Sequence, residues 1–425
     1  RNIMKSQKLL LFIVLAFMIT SCSEKEKTCI VNGKVINRDS KAIILKKAYK
    51  DSRTADTTRI PISDSTFSFE LNFQYPQAYS LIFEEELKKG AWDPIHFFPV
   101  DGGMNMKLFD HDNFSKNQID GSQLTTQYYD IQEKMRKKAK KASRHLRDSL
   151  SSLRKSNNYH SDTMNALMEK MREIGYNHKD SRKIYNKMNQ LRETGKAFTP
   201  AANRVRKQLT DNERKIMKEL YDYMEQNPNI VSYYLLLDDL QYYDTHKKVL
   251  DINTMKNLQE ILAEKYEQHP YTKLTRELLW NIENIKVGGK YYDFTLPDTS
   301  GEKHTLSELI KGKYALIDIW APWCGPCISQ SRSMIPVYKD FKDQGFTIVG
   351  VAGKYKNIER VKTRLEKDQY PWITLVDSNW TSEIWTKYGL SKAGGGIFFV
   401  NENGEILAVN PSPDSVRNKL NEAIN

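Results

Sequence analysis

Apolar and polar residues follow three different rhythms along the chain, and each rhythm predicts a different kind of element. From Cys29 to about Asp120 the apolar residues alternate or cluster as they do in strands: Val31, Val35, Ile43 to Leu45 and, with nearly strict period two, Thr66-Phe67-Ser68-Phe69-Glu70-Leu71-Asn72-Phe73. One face of such a strand is buried and the other is wet. Asn32-Gly33, Asp101-Gly102-Gly103 and Asp120-Gly121 read as turns. A small antiparallel β domain, a sandwich or a barrel, is expected over 29–121.

From 122 to 286 the period lengthens to that of a helix. Met164, Leu167, Met168, Met171 and Ile174 share one helical face, as do Ile216, Leu220 and Met224. Met255, Leu258, Ile261 and Leu262 form another such face, and Leu274, Leu278, Leu279 and Ile282 the next. Asn227-Pro228-Asn229 and His269-Pro270 separate successive helices. The charged stretch from Lys134 to Lys207 reads as a helical hairpin, and the methionines as core filler.

After Gly288-Gly289 strands and helices alternate in a unit taken as 287–425. Tyr314 to Trp320, Phe346 to Ala352 and Trp372 to Asp377 read as strands. Cys327 to Phe341, Ile358 to Asp368 and Trp380 to Tyr388 read as helices. Ile397 to Val400 and Ile406 to Val409 form a hairpin across Glu402-Asn403-Gly404, and Ser415 to Ile424 closes with a helix. This order predicts a layered α/β domain whose sheet is mixed.

The first residues carry a different signal. Lys5 and Lys8 precede an apolar run, Leu9 to Ile19, too short for a bilayer span of about 20 residues. It fits the apolar core of a secretory leader over 1–21. The run ends in Ile19-Thr20-Ser21-Cys22, which resembles the lipobox of bacterial lipoproteins. That resemblance implies cleavage before Cys22 and lipidation of its thiol, which would anchor the protein to a membrane. Residues 22–28 then act as a polar tether.

Charge and cysteine usage add two constraints. The formal charge of the 425 residues is +12, concentrated in part between Lys134 and Lys155. With no recognisable nucleic-acid module, a solvated helical face is expected and a nucleic-acid partner is not. The four cysteines are Cys22, Cys29, Cys324 and Cys327. Cys29 opens an apolar strand and reads as a small core residue.

Cys324 and Cys327 sit in Trp323-Cys324-Gly325-Pro326-Cys327. Structural zinc takes four ligands, and there is neither a second such pair nor a histidine pair. His304, the nearest histidine in sequence, stands alone, so no metal is expected. The motif follows an apolar strand and opens a helix. Cys324 would then lie at the helix N-terminus, where free N–H groups and the helix dipole favour a thiolate. Cys327, one turn on, is placed to resolve a mixed disulfide. Pro326 suits the first turn, and Gly325 lets a partner chain approach. The Cys324–Cys327 pair is itself the redox group, and no cofactor is expected.

On these residues the stretch from about Lys286 to Asn425 resembles the TlpA/ResA-type members of the thioredoxin family. The approach strand Ala315-Leu316-Ile317-Asp318-Ile319-Trp320-Ala321-Pro322-Trp323 matches that family closely, and so do Tyr292 to Leu296 and Thr305 to Leu309. The resemblance implies that Asp318 is the buried acid that exchanges a proton with the resolving cysteine. It also implies that Trp320 and Trp323 flank the site. The family's substrate-facing cis-proline aligns with Gly395 in Gly394-Gly395-Gly396. A non-proline cis bond costs about 2.5–4 kcal/mol, so a loop that is trans, more mobile, or both is expected. The β domain loosely resembles an uncharacterised domain that precedes thioredoxin domains in anchored lipoproteins.

The expected function is a thiol–disulfide oxidoreductase in the cell envelope, on the periplasmic side, acting on protein disulfides or thiols. Gly-Pro between the cysteines is the dipeptide of reducing thioredoxins, near roughly −270 mV. A reductase outside the cytoplasm implies a membrane electron donor, and the resemblance makes cytochrome assembly one role. Two rivals stand beside this reading. One is an envelope scaffold lipoprotein with a vestigial thioredoxin domain. The other is a thiol peroxidase, whose Pro-x-x-x-Thr/Ser-x-x-Cys pattern Ile317 to Cys324 does not supply.

Overall fold

A computed structural model describes residues 26–52, 55–175, 180–353, 355, 357–377, 384–390 and 394–424. The leader and Cys22 lie outside the described residues, and so does Trp380 with the first part of its expected helix. No described helix is long and apolar enough to cross a membrane.

The period-two segments fold as two four-stranded sheets around one core. The strands are β1 (Lys27–Ile36), β2 (Ala42–Lys47), β3 (Thr58–Pro61), β4 (Thr66–Phe73), β5 (Tyr79–Phe83), β6 (Ile95–Phe97), β7 (Gly102–Phe109) and β8 (Gln118–Asp120). One sheet runs β4-β1-β7-β8 and the other β3-β2-β5-β6. Cys29, Val31 and Val35 of β1 meet Ile43, Leu45, Phe83 and Phe97 in the shared interior. The antiparallel expectation holds for every pair but one: β1 and β7 run parallel. They are far apart in sequence, so no hairpin constrains their direction. Gly33, expected in a turn, lies inside β1. Its register partner is Phe67, whose ring covers the glycine so closely that a Cβ would meet Cζ at 2.0 Å. A short helix, α1 (Glu84–Lys89), follows β5.

The helical section contains α2 (Gln123–Lys155), α3 (Asp162–Ile174), α4 (Ser181–Glu193), α5 (Pro200–Gln226), α6 (Ile230–Gln241), α7 (Tyr243–His246), α8 (Ile252–Lys265) and α9 (Pro270–Asn284). Asn229 caps α6 by accepting from the amides of Val231 and Ser232, and His269 accepts from Tyr271 N–H ahead of Pro270. The two breaks in the pattern are thus capping sites. The expected hairpin is instead two nested pairs. The long helices α2 and α5 pack together, and the pair α3 and α4 between them has its own core of Met164, Met171, Ile184 and Met188. The basic residues of α2 lie mostly on its exposed side. Tyr271 of α9 joins this section to the β domain: its Oη accepts the Ala78 N–H at 2.8 Å.

The last section begins with a hairpin, β9 (Thr295–Pro297) and β10 (Lys303–Thr305), and the short α10 (Leu306–Ile310). Then come β11 (Tyr314–Trp320), α11 (Gly325–Phe341), β12 (Phe346–Ala352), α12 (Glu359–Asp368), β13 (Thr374–Val376), α13 (Ile384–Lys387), β14 (Gly396–Val400), β15 (Ile406–Val409) and α14 (Pro413–Ile424). The sheet order is β13-β12-β11-β14-β15, with β11 to β13 parallel and β14 and β15 antiparallel. This is a thioredoxin-like mixed sheet. Ala315, Ile317 and Ile319 of β11 face the core shared with α10 and α13. Leu316 faces the opposite core, where Met334 and Val337 of α11 meet Val416 and Leu420 of α14. Period two then puts Asp318 on the α11 side of the central strand.

Candidate active site

The chain leaves β11 at Trp320, turns through Ala321-Pro322-Trp323 and enters α11 at Cys324. Cys324 is the N-cap. Its backbone is extended, its carbonyl accepts the Ile328 N–H at 3.0 Å, and its sulfur accepts the Cys327 N–H at 3.3 Å. The sulfur therefore occupies the position where a capping oxygen usually satisfies a free amide. Pro326 stands in the first turn, where its missing N–H costs nothing. Cys324 and Cys327 are joined as a disulfide with Cα atoms 5.3 Å apart. Cys324 is 9% exposed, while Trp323 beside it is 37% exposed and Gly325 and Pro326 are open to solvent. A partner can thus reach the rim of the disulfide without unfolding anything.

Asp318 is 2% exposed. Burial pushes its carboxyl up to about 7, and a hydrogen bond with Ser331 offsets part of that rise. Its Oδ2 has no hydrogen-bond partner. The single Ser331 proton can go to Asp318 or to the Cys327 carbonyl oxygen 3.1 Å away, so one hydroxyl stands between the acid and the second cysteine's turn of helix. Sequence reasoning missed Ser331. The available signal was a small polar residue four positions after Cys327, on the face of α11 turned toward the sheet. Trp320 is fully buried and packs with Ile328, Tyr355 and Val361, with Cys327 against the same cluster. Of the two tryptophans, Trp320 is core and Trp323 is surface.

The glycine loop departs from the sequence expectation in one respect. Its bonds are trans, and no cis peptide occurs among the described residues. The glycine against the disulfide, however, is Gly394 and not Gly395. A Cβ on Gly394 would lie 2.7 Å from Cys324 Sγ and 2.9 Å from its Cβ. A Cβ on Gly395 would instead strike the Ile319 carbonyl oxygen at 2.0 Å. Gly396 already pairs with Ile319 in the sheet, so Gly395 is pressed onto the end of β11 and the preceding residue turns toward the sulfur.

The remaining cysteine and the nearest histidine lie elsewhere. Cys29 is a free, fully buried thiol of the β domain, and burial raises its pKa. His304 is not alone, as the sequence suggested. The β9–β10 hairpin brings its Nε2 to 3.4 Å from Asp298, with Glu302 also close. Asp298 is occupied by the hairpin itself: one oxygen accepts from the amides of Ser300, Gly301 and Glu302.

Comparison with known proteins bears on both ends of the chain. Residues 287–409 match the AhpC/TSA family, and residues 29–128 match a domain of unknown function, DUF4369. A thiol-disulfide oxidoreductase ResA of Bacillus subtilis (strain 168) is 42% identical over 69 residues, which are 16% of this chain and 38% of that protein. The ResA of Geobacillus kaustophilus (strain HTA426) is 34% identical over 127 residues, 29% of this chain and 69% of that protein. Among solved structures, the thioredoxin domain of a Bacteroides vulgatus thiol-disulfide oxidoreductase shares 27% identity, covering 33% of this chain and 99% of its own, with a TM-score of 0.31. On the Geobacillus match the chain belongs to the ResA-type family of thioredoxin-like thiol–disulfide oxidoreductases, the class to which a disulfide at the head of α11 had already pointed.

Proposed function

We propose that this protein carries out dithiol–disulfide exchange on protein substrates outside the cytoplasm, with Cys324 as nucleophile, Cys327 as resolving thiol and Asp318 as proton acceptor. In the reduced protein the Cys324 thiolate attacks a substrate disulfide. A Cys324–substrate bond forms and the other substrate sulfur leaves as a thiolate. Cys327 then loses its proton toward Asp318 and attacks Cys324 Sγ. The second substrate thiol is released, and the protein is left as the Cys324–Cys327 disulfide. Two electrons have passed to the substrate, so a membrane electron donor must restore the dithiol.

The observation that carries this reading is the Cys327 amide on the Cys324 sulfur at the N-terminus of α11. A donor there stabilises the thiolate both as nucleophile and as leaving group. Asp318 adds a second support. A carboxyl pushed up to about 7 is matched to proton transfer near neutrality. Gly325-Pro326 favours the reducing direction. The Leu9–Ile19 run and Cys22 favour export and a lipid anchor, with envelope proteins as substrates. No role in this reaction requires a metal or a bound cofactor.

The test is dithiothreitol-coupled reduction of insulin by the full chain, with Cys324→Ser beside it. Turnover that disappears in the variant supports the reading. Turnover that persists, or is absent from the wild type, moves the function to a scaffold built on a dormant thioredoxin-like domain.

A further inference from the structure

The glycine loop has a second neighbour besides the disulfide. A cavity of about 410 Å³ opens where Gly395 and Asn410 of the C-terminal domain meet α6, α7 and α9 of the helical section. That size falls within the roughly 300–1,000 Å³ typical of specific binding sites. Its walls are mixed. Leu278 and Ile282 of α9 and Leu390 supply apolar surface, and Gln241 at the end of α6 supplies a carboxamide. Asp244 is the charged group among the described lining residues.

Three observations connect this cavity to the reaction. First, it begins at Gly395, the residue next to the one that touches Cys324 Sγ. Second, its two walls are tied together. Asn281 Nδ2 of α9 donates to the Thr386 carbonyl at 2.7 Å, and Lys387 pairs with Glu277 at 3.0 Å. The helical wall is thereby held at a set position relative to the sulfur. Third, Gln241 has a spare acceptor. Its Nε2 donates to the Tyr49 carbonyl at 3.0 Å, while its Oε1 is buried with no partner in the protein. Buried polar atoms are normally paired.

We infer that this cavity receives the polypeptide segment flanking the reactive cysteine of a substrate protein, and that the helical section thereby selects substrates for the disulfide. The inference rests on the exchange reading above and adds the substrate's chemistry to it. The segment runs from the mixed disulfide at Cys324, past Gly394 and Gly395, and places an apolar side chain against Leu278, Ile282 and Leu390. An N–H of the segment donates to Gln241 Oε1. An acidic side chain is disfavoured by the apolar walls and by Asp244, whose ion-pair partner Lys247, 3.7 Å away, stands outside the cavity lining.

The experiment uses the full chain and synthetic single-cysteine peptides carried as mixed disulfides with thionitrobenzoate. The peptides have leucine or glutamate at the positions flanking the cysteine, and hydroxyethyl disulfide serves as a peptide-free reference. The wild type is expected to favour the leucine peptides over the glutamate peptides by at least about tenfold in kcat/KM, the scale set by one side chain in an apolar pocket. Ile282→Trp, which fills the cavity, should bring that ratio near one. Asp244→Lys, at an exposed position, should raise the glutamate peptides relative to the leucine peptides, and it decides the matter if Ile282→Trp does not fold. A wild type without preference, or a preference unchanged in both variants, overturns the inference while leaving the exchange reaction in place. Failure of the wild type to exchange even hydroxyethyl disulfide would remove the reaction itself.

Discussion

The C-terminal sheet and the helical section each enclose an aspartate whose carboxyl desolvation pushes up to about 7. Asp318 sits on the central strand beneath the cysteine helix, with Oδ2 unpartnered. Asp239 lies on α6 and, although the residue keeps some exposed surface, its titrating end is enclosed. There it accepts from the Tyr221 hydroxyl of α5 at 2.9 Å. The same physical cause acts on both, but Asp239 faces the Tyr221 hydroxyl whereas Asp318 faces Ser331 beneath the Cys327 turn. A raised carboxyl pKa therefore marks desolvation, and what stands across from it decides whether it serves catalysis.

Replacing each acid in turn separates the two. Asp318→Asn should slow the resolving step and with it insulin reduction by about a hundredfold, the scale of one general acid–base group. Asp239→Asn should leave turnover within about twofold. Equal losses in both would mean that Asp318 has no particular part in the resolving step.

Stability should treat the two acids alike. Each holds its proton more tightly in the folded chain than at the ordinary value of 3.8, so the folded state binds more protons between about pH 4 and pH 7. Stability is then highest below pH 4 and falls as pH rises through 7. Urea unfolding should show each Asn variant gaining on the wild type by on the order of 2 kcal/mol at pH 8, with the gain vanishing at pH 3.

A third contrast lies within the site. Gly394→Ala places a methyl group 2.7 Å from Cys324 Sγ, whereas a Cβ on Gly325 meets nothing within 4 Å. Gly394→Ala should therefore slow exchange about tenfold through displacement of the sulfur, and Gly325→Ala should not. The smallest effect belongs to the junction of the two regions. Asn281→Ala leaves the Thr386 carbonyl without its donor and should cost about 1 kcal/mol in urea unfolding.

Legibility from sequence followed the range of the interactions involved. Cys324, Pro326 and Cys327 were readable because a strand, a cap and a first helical turn are local. Asp318 was readable because strand alternation fixes which face it takes. Gly33 misled because a glycine under a cross-strand ring and a glycine in a turn look alike in one dimension. The parallel pairing of β1 and β7 joins strands separated by most of the β domain. Gly394, Ser331 and Gln241 stand out only where the glycine loop, α11 and α6 meet their neighbours in three dimensions. His304 found Asp298 because a hairpin turn brought them together, not because of any spacing rule for ligands.

Cys324, at the head of α11, is proposed as the activated thiol. Alkylation of the reduced protein by iodoacetamide at pH 6, quantified for each cysteine by mass spectrometry, tests it directly. Cys324 should be modified at least about tenfold faster than Cys327, with buried Cys29 spared until the protein unfolds. Cys324 reacting no faster than Cys327, or only as pH approaches the ordinary thiol value of about 8.5, would contradict it.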